Sequence, residues 1–154
     1  MRQYQLEMDS MNKILIVEAS FYLDIAEELS SGAVDVIVDR GFSPDKIEVP
    51  GVFEVPSAVS KAWNTGGYLG AITLGCVIRG ATDHYDHICR EVSRALMDLS
   101  IDYSMPHGFG ILTCENRKQA WERANINERN IGGRAAIACL SMVDIHQKII
   151  DGSN

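Results

Sequence analysis

From Lys13 onward, short apolar runs alternate with stretches in which apolar residues recur at helical spacing. Ile14-Leu15-Ile16-Val17 is a continuous aliphatic run, the form taken by a strand buried on both faces. Ile25, Leu29, Ala33 and Val36 then follow a helical period, and Gly41 supplies a stop. A weaker strand over residues 47–49 closes at Pro50-Gly51. Val55, Ala58, Val59, Ala62 and Trp63 make the next helix face, with Pro56 tolerated in its first turn and Gly66-Gly67 ending it. Residues 69–74 predict a third strand and 75–83 a glycine-punctuated loop. Asp83 is the candidate N-cap of a helix that turns Ile88, Val92, Ala95, Leu96 and Leu99 to one side. A fourth strand is expected over 108–112, followed by a short helix capped by Asn116 that carries Ala120, Trp121 and Ala124. Gly132-Gly133 breaks the chain before a last helix with Ala135, Ala138, Cys139, Met142 and Ile145 inward.

This strand–helix alternation predicts an α/β fold, a three-layer αβα sandwich of flavodoxin-like style around a central four-stranded parallel sheet. Residues 13–150 read as a single domain and residues 1–12 as an N-terminal arm, with Met11 an alternative start. A length of 154 residues, 46% of them hydrophobic, suffices for one core without disulfide or metal staples. The formal charge of -7, without a basic run, argues against nucleic-acid and anionic-membrane partners. A phosphorylated small molecule remains allowed, because one or two local arginines suffice. Cys76, Cys89, Cys114 and Cys139 form no C-x-x-C pair and read as reduced thiols used as small apolar residues. The first twelve residues lack an apolar signal core and no run is long enough to span a bilayer, so a cytoplasmic location is expected.

Ligands of such sheets bind beyond the carboxyl ends of the strands. Gly80-Ala81-Thr82 leads directly into a helix, where free N–H groups and the helix dipole favour an anion; a plain tight turn would use the same glycine. His84, in the first turn, carries an imidazole whose ordinary pKa of about 6.5 suits proton transfer in either direction. His84 and His87 share a helix face, but no third residue at helical spacing completes a metal site, and none is expected. Phe21, just past the first strand, either stacks on a planar ring or caps the core. Glu54 can accept hydrogen bonds from a polyol. Arg79 and Arg123 are the nearest cations, each a candidate phosphate contact or an ordinary surface charge.

Three longer segments carry a resemblance. They are Val49-Pro50-Gly51-Val52-Phe53-Glu54-Val55-Pro56, the run from Thr73 to Asp86 that contains Gly75-Cys76-Val77-Ile78-Arg79-Gly80-Ala81-Thr82-Asp83-His84, and Gly110-Ile111-Leu112-Thr113-Cys114-Glu115-Asn116. With Gln119-Ala120 and Glu122-Arg123-Ala124, the chain resembles the lumazine synthases of riboflavin biosynthesis over nearly all of residues 13–145. The resemblance implies a transferase without cofactor. Its two small-molecule substrates would be 5-amino-6-ribitylaminouracil and 3,4-dihydroxy-2-butanone 4-phosphate, condensed to 6,7-dimethyl-8-ribityllumazine, phosphate and water. It further implies that Phe21 stacks on the pyrimidine, that Gly51, Val52, Phe53, Glu54 and the backbone of Cys76, Val77 and Ile78 hold the ring and ribityl chain, and that Ala81, Thr82 and Arg123 bind phosphate. His84 matches the proton-transfer histidine. A homo-oligomer, a pentamer with sites between subunits, is implied as well, with Phe109 and Arg123 donated across the interface. Ser20, Tyr22 and Ile131 depart from the pattern, where Arg or Gly, Asn and Lys respectively are usual.

Overall fold

The computed structural model describes residues 12–152; the expected N-terminal arm lies, except for Asn12, outside them. Strands β1 (Lys13–Ala19), β2 (Ser43–Val49), β3 (Gly70–Ile78) and β4 (His107–Cys114) form one sheet in the order β2-β1-β3-β4, every neighbouring pair parallel. Helices α1 (Leu23–Asp39), α2 (Val55–Thr65), α3 (His84–Asp102), α4 (Arg117–Ala124) and α5 (Ile131–Asp151) cover both faces. Because side chains alternate along a strand, Ile14 and Ile16 pack beneath α1, α4 and α5, while Leu15 and Val17 pack beneath α2 and α3. The result is the expected three-layer α/β sandwich.

Boundaries moved where strand pairing supplied hydrogen bonds that local pattern does not reveal. β2 begins at Ser43 rather than 47, and it accommodates Pro44 because it is an edge strand. β3 runs on through Gly75, Cys76, Val77 and Ile78, which pair with Ile111, Leu112, Thr113 and Cys114; the expected loop over 75–83 therefore shrinks to its second half. Asp83 occupies the N-cap position of α3 without a capping hydrogen bond, and Thr82 Oγ1 instead accepts from the His84 N–H at 3.4 Å. Asn116 does cap α4, accepting from the Gln119 N–H at 2.9 Å. Glu18, only 2% exposed, interrupts the apolar run of β1 and pairs with Lys46 Nζ at 3.1 Å.

The last helix is the largest departure. Gly132 and Gly133 lie inside α5 and are buried, and Ala135, Ala136, Cys139 and Leu140 face the core, whereas Ala138, Met142 and Ile145 face outward. α5 is apolar on two sides, so its periodicity does not choose between them. Close approach to α1 does: a Cβ at Gly132 would fall 1.9 Å from the carbonyl oxygen of Leu29. Of the apolar residues carried by α4, Trp121 is 40% exposed, and Ala120 and Ala124 are buried.

Candidate active site

Successive strands step outward in opposite directions from β1 and β3, so the crevice between their carboxyl ends is the topological switch point of this sheet. A pocket of about 470 Å³ opens there. β1 delivers Phe21 and Tyr22, the turn after β2 delivers Gly51, Val52, Phe53 and Glu54, the end of β3 delivers Cys76, Val77 and Ile78, and α3 delivers His84 and Ile88.

Each contribution has a local cause. Val52 is 6% exposed and rests on Gly75, where an added Cβ would lie 2.9 Å from Val52 Cγ2 and 3.0 Å from Ala19 Cβ. Without a side chain at Gly75 the 52–54 turn can sit down on the sheet, which leaves Phe53 and Glu54 to project. Phe21 is 73% exposed and meets Tyr22 edge-on, ring centroids 5.0 Å apart, so its face is free to stack on a planar ring. His84 is the first residue of the 19-residue helix α3, and so stands at the positive end of its dipole. The pocket thus joins an apolar floor, a carboxylate and an imidazole next to an anion-favouring helix start.

Burial disfavours the thiolate form of all four cysteines. Burial, with the neighbouring Cys114 thiol, pushes Cys76 up to about 12, and burial also raises Cys114, Cys139 and the half-buried Cys89. Among the described residues no group of three His, Cys, Asp or Glu is arranged to hold a metal, and no helix is long and apolar enough to cross a membrane.

Four residues expected at the site stand apart from the pocket lining. Ala81 and Thr82 lie exposed on the loop leading to His84. Phe109 sits on β4 opposite Thr73, toward the other end of the sheet, and is 45% exposed beside Met97. Arg123 is half-buried on α4, where its Nη1 donates to the Gln119 carbonyl at 3.3 Å and its guanidinium meets the Cys114 thiol. Ile131, the first residue of α5, is partly buried against the core that α1, α4 and α5 cover. Two further residues line the pocket: Ile88, which periodicity assigns to the core face of its helix, and Tyr22, which follows Phe21 just past the first strand. Arg117 lies over the Tyr22 ring at 5.9 Å and pairs with Asp24, whose carboxyl it holds below the ordinary range. The aromatic pair directly after β1 was the available signal for Tyr22; nothing in the spacing signalled Arg117.

The sequence profile of 6,7-dimethyl-8-ribityllumazine synthase matches residues 11–147. A protein of that name from Bartonella bacilliformis is 46% identical over 140 residues, covering 90% of this chain and 92% of its own. One from Agrobacterium fabrum is 45% identical over 141 residues, 88% of this chain and 95% of its own. Another from Rhizobium meliloti, 6,7-dimethyl-8-ribityllumazine synthase 1, is 45% identical over 141 residues, covering 88% of this chain and 92% of its own. Similarity of this depth along the full sheet, together with a pocket at its switch point, places the chain in the 6,7-dimethyl-8-ribityllumazine synthase family.

Proposed function

We propose that this chain condenses 5-amino-6-ribitylaminouracil with 3,4-dihydroxy-2-butanone 4-phosphate to give 6,7-dimethyl-8-ribityllumazine, inorganic phosphate and two molecules of water. The observation that carries this reading is the convergence of Phe21, Glu54 and His84 from three separate segments on one pocket. Phe21 stacks on the pyrimidine, the backbone at Gly51, Val52 and Phe53 and at Cys76, Val77 and Ile78 borders ring and side chain, and Glu54 accepts hydrogen bonds from ribityl hydroxyls. The start of α3, with Ala81 and Thr82, holds the phosphate.

The chemistry is proton traffic around two joined substrates. The 5-amino group adds to the ketone and water leaves as the C=N bond forms. A proton then leaves the adjacent carbon, the C–O bond to phosphate breaks, and the resulting enol takes a proton to become a methyl ketone. The ribitylamino nitrogen closes on that ketone and the second water departs. His84 takes and returns these protons, a role worth typically 10²- to 10⁴-fold. Holding two substrates in register contributes more, since effective molarities reach about 10⁵ M or higher.

Phe109 and Arg123 complete the pocket of a neighbouring copy rather than their own. Their absence from the pocket lining supports this, as does the exposed apolar surface made by Met97, Ile101, Tyr103 and Phe109 on α3, β4 and the segment between them. The assembly is a homopentamer and works in the cytoplasm, where four unpaired cysteines stay reduced. Incubating the purified protein with both substrates and following lumazine absorbance tests the reading. Catalysed formation supports it; tight flavin binding without product would make the chain a binding module, and neither would leave a structural shell.

A further inference from the structure

Residues 79–84, which join β3 to α3, are all exposed, and a Cβ added to Gly80 would meet nothing within 4 Å. This loop has no core anchor of its own, yet the proposed reaction needs it to present both an anion site and His84. The contacts that close it come from the side chain at its first residue. Arg79 is seated by its backbone N–H, which donates to the Cys114 carbonyl at 2.8 Å. From there Nε lies 3.2 and 3.1 Å from the two carboxylate oxygens of Glu115, and Nη2 lies 3.4 Å from Asp86 Oδ1. The guanidinium also covers the Tyr85 ring, 4.3 Å from its centroid. The Glu115 N–H donates in turn to Gln119 Oε1 at 2.9 Å, which ties the cluster to α4.

Such a cation is already committed: Glu115 and Asp86 flank its Nε and Nη2 edges, and one of its faces lies over the Tyr85 ring. We propose that Arg79 is a positioning residue, a staple that binds the first turn of α3 back to the end of β4 and so fixes the 80–84 loop and His84. Exposed ion pairs add little to global stability. The staple acts instead on local geometry, because one planar guanidinium engages two segments that the loop would otherwise leave free to separate. The inference rests on the condensation reading and names what orients its phosphate loop.

The sign of a charge effect separates a staple from a phosphate ligand. The double variant Asp86→Asn, Glu115→Gln removes two negative charges next to the anion site, so charge alone would lower KM for the butanone phosphate. Loss of the staple predicts the opposite: KM for that substrate rises and kcat falls, each about tenfold as expected for a reacting group moved by a fraction of an ångström, while KM for the aminouracil stays put. Arg79→Ala should match the double variant and Arg79→Lys should recover part of the loss. A double variant with unchanged or lower KM would overturn the proposal. Amide hydrogen exchange over residues 80–84 needs no turnover. Faster exchange in Arg79→Ala is expected, and unchanged exchange would overturn the staple even if the wild-type chain made no lumazine, an outcome that would refute the condensation reading separately.

Discussion

Acidification should weaken this fold through one imidazole. His107 opens β4, with Nε2 2.9 Å from Thr73 Oγ1 on β3 and its ring edge-on to Phe109 at 6.2 Å. Thr73 is fully buried, and no carboxylate is among the residues around the adjoining cavity, which are Ser93, Leu96, Met97 and Ser100. Burial therefore pulls His107 from the ordinary 6.5 down to about 4. The unfolded chain takes up this proton near 6.5 and the folded one only near 4, so between those values the unfolded state binds more protons. Stability is full above about pH 6.5 and declines as pH falls toward about 4, by about 3 kcal/mol at 1.36 kcal/mol per unit. That is a large part of the 5–15 kcal/mol typical of a domain. Denaturant unfolding of wild type and His107→Gln from pH 8 to 4, at one protein concentration, isolates the effect. Carboxylate titration is common to both and cancels, and Gln keeps an uncharged partner for Thr73. The stability difference between the two should shift by about 3 kcal/mol in favour of Gln as pH falls. Parallel curves would refute the reasoning.

His84→Ala should slow turnover by about 10²- to 10⁴-fold yet leave measurable residual activity, since stacking and phosphate positioning survive; an undiminished kcat in single-turnover assays would remove the histidine from the mechanism. Arg123→Ala should act mainly on KM for the butanone phosphate, and mixing it with His84→Ala in one co-assembled oligomer should restore some sites if Arg123 serves a neighbour's pocket. Gly132→Ala gains about 1 kcal/mol of helix propensity but drives a methyl into the Leu29 carbonyl. Overpacking of this kind costs about 1–3 kcal/mol or more, so net destabilisation by thermal melt is expected.

Much of the fold is legible in the chain because helix and strand periods differ and β1 and β3 are strongly apolar, whereas the polar edge strand β2 shows only its last residues. What periodicity misses is whatever depends on a partner. Gly75, Cys76, Val77 and Ile78 look like the start of a loop until β4 pairs with them. The two-sided apolar character of α5 hides its orientation, which is fixed by the contact of Gly132 with Leu29. At the site, the strand-end rule and the motifs lead to Phe21, Glu54 and His84, which share a pocket. Arg79 shows the limit: spacing leaves a cation beside a phosphate loop open as a phosphate contact or an ordinary surface charge, and only the structure shows its pairing with Glu115 and Asp86.

The most direct test of the account measures lumazine and inorganic phosphate together under multiple turnover. Both should appear in equal amounts, only when both substrates are present, and well above the rate without protein. Phosphate release without lumazine, or lumazine at the protein-free rate, would contradict the account.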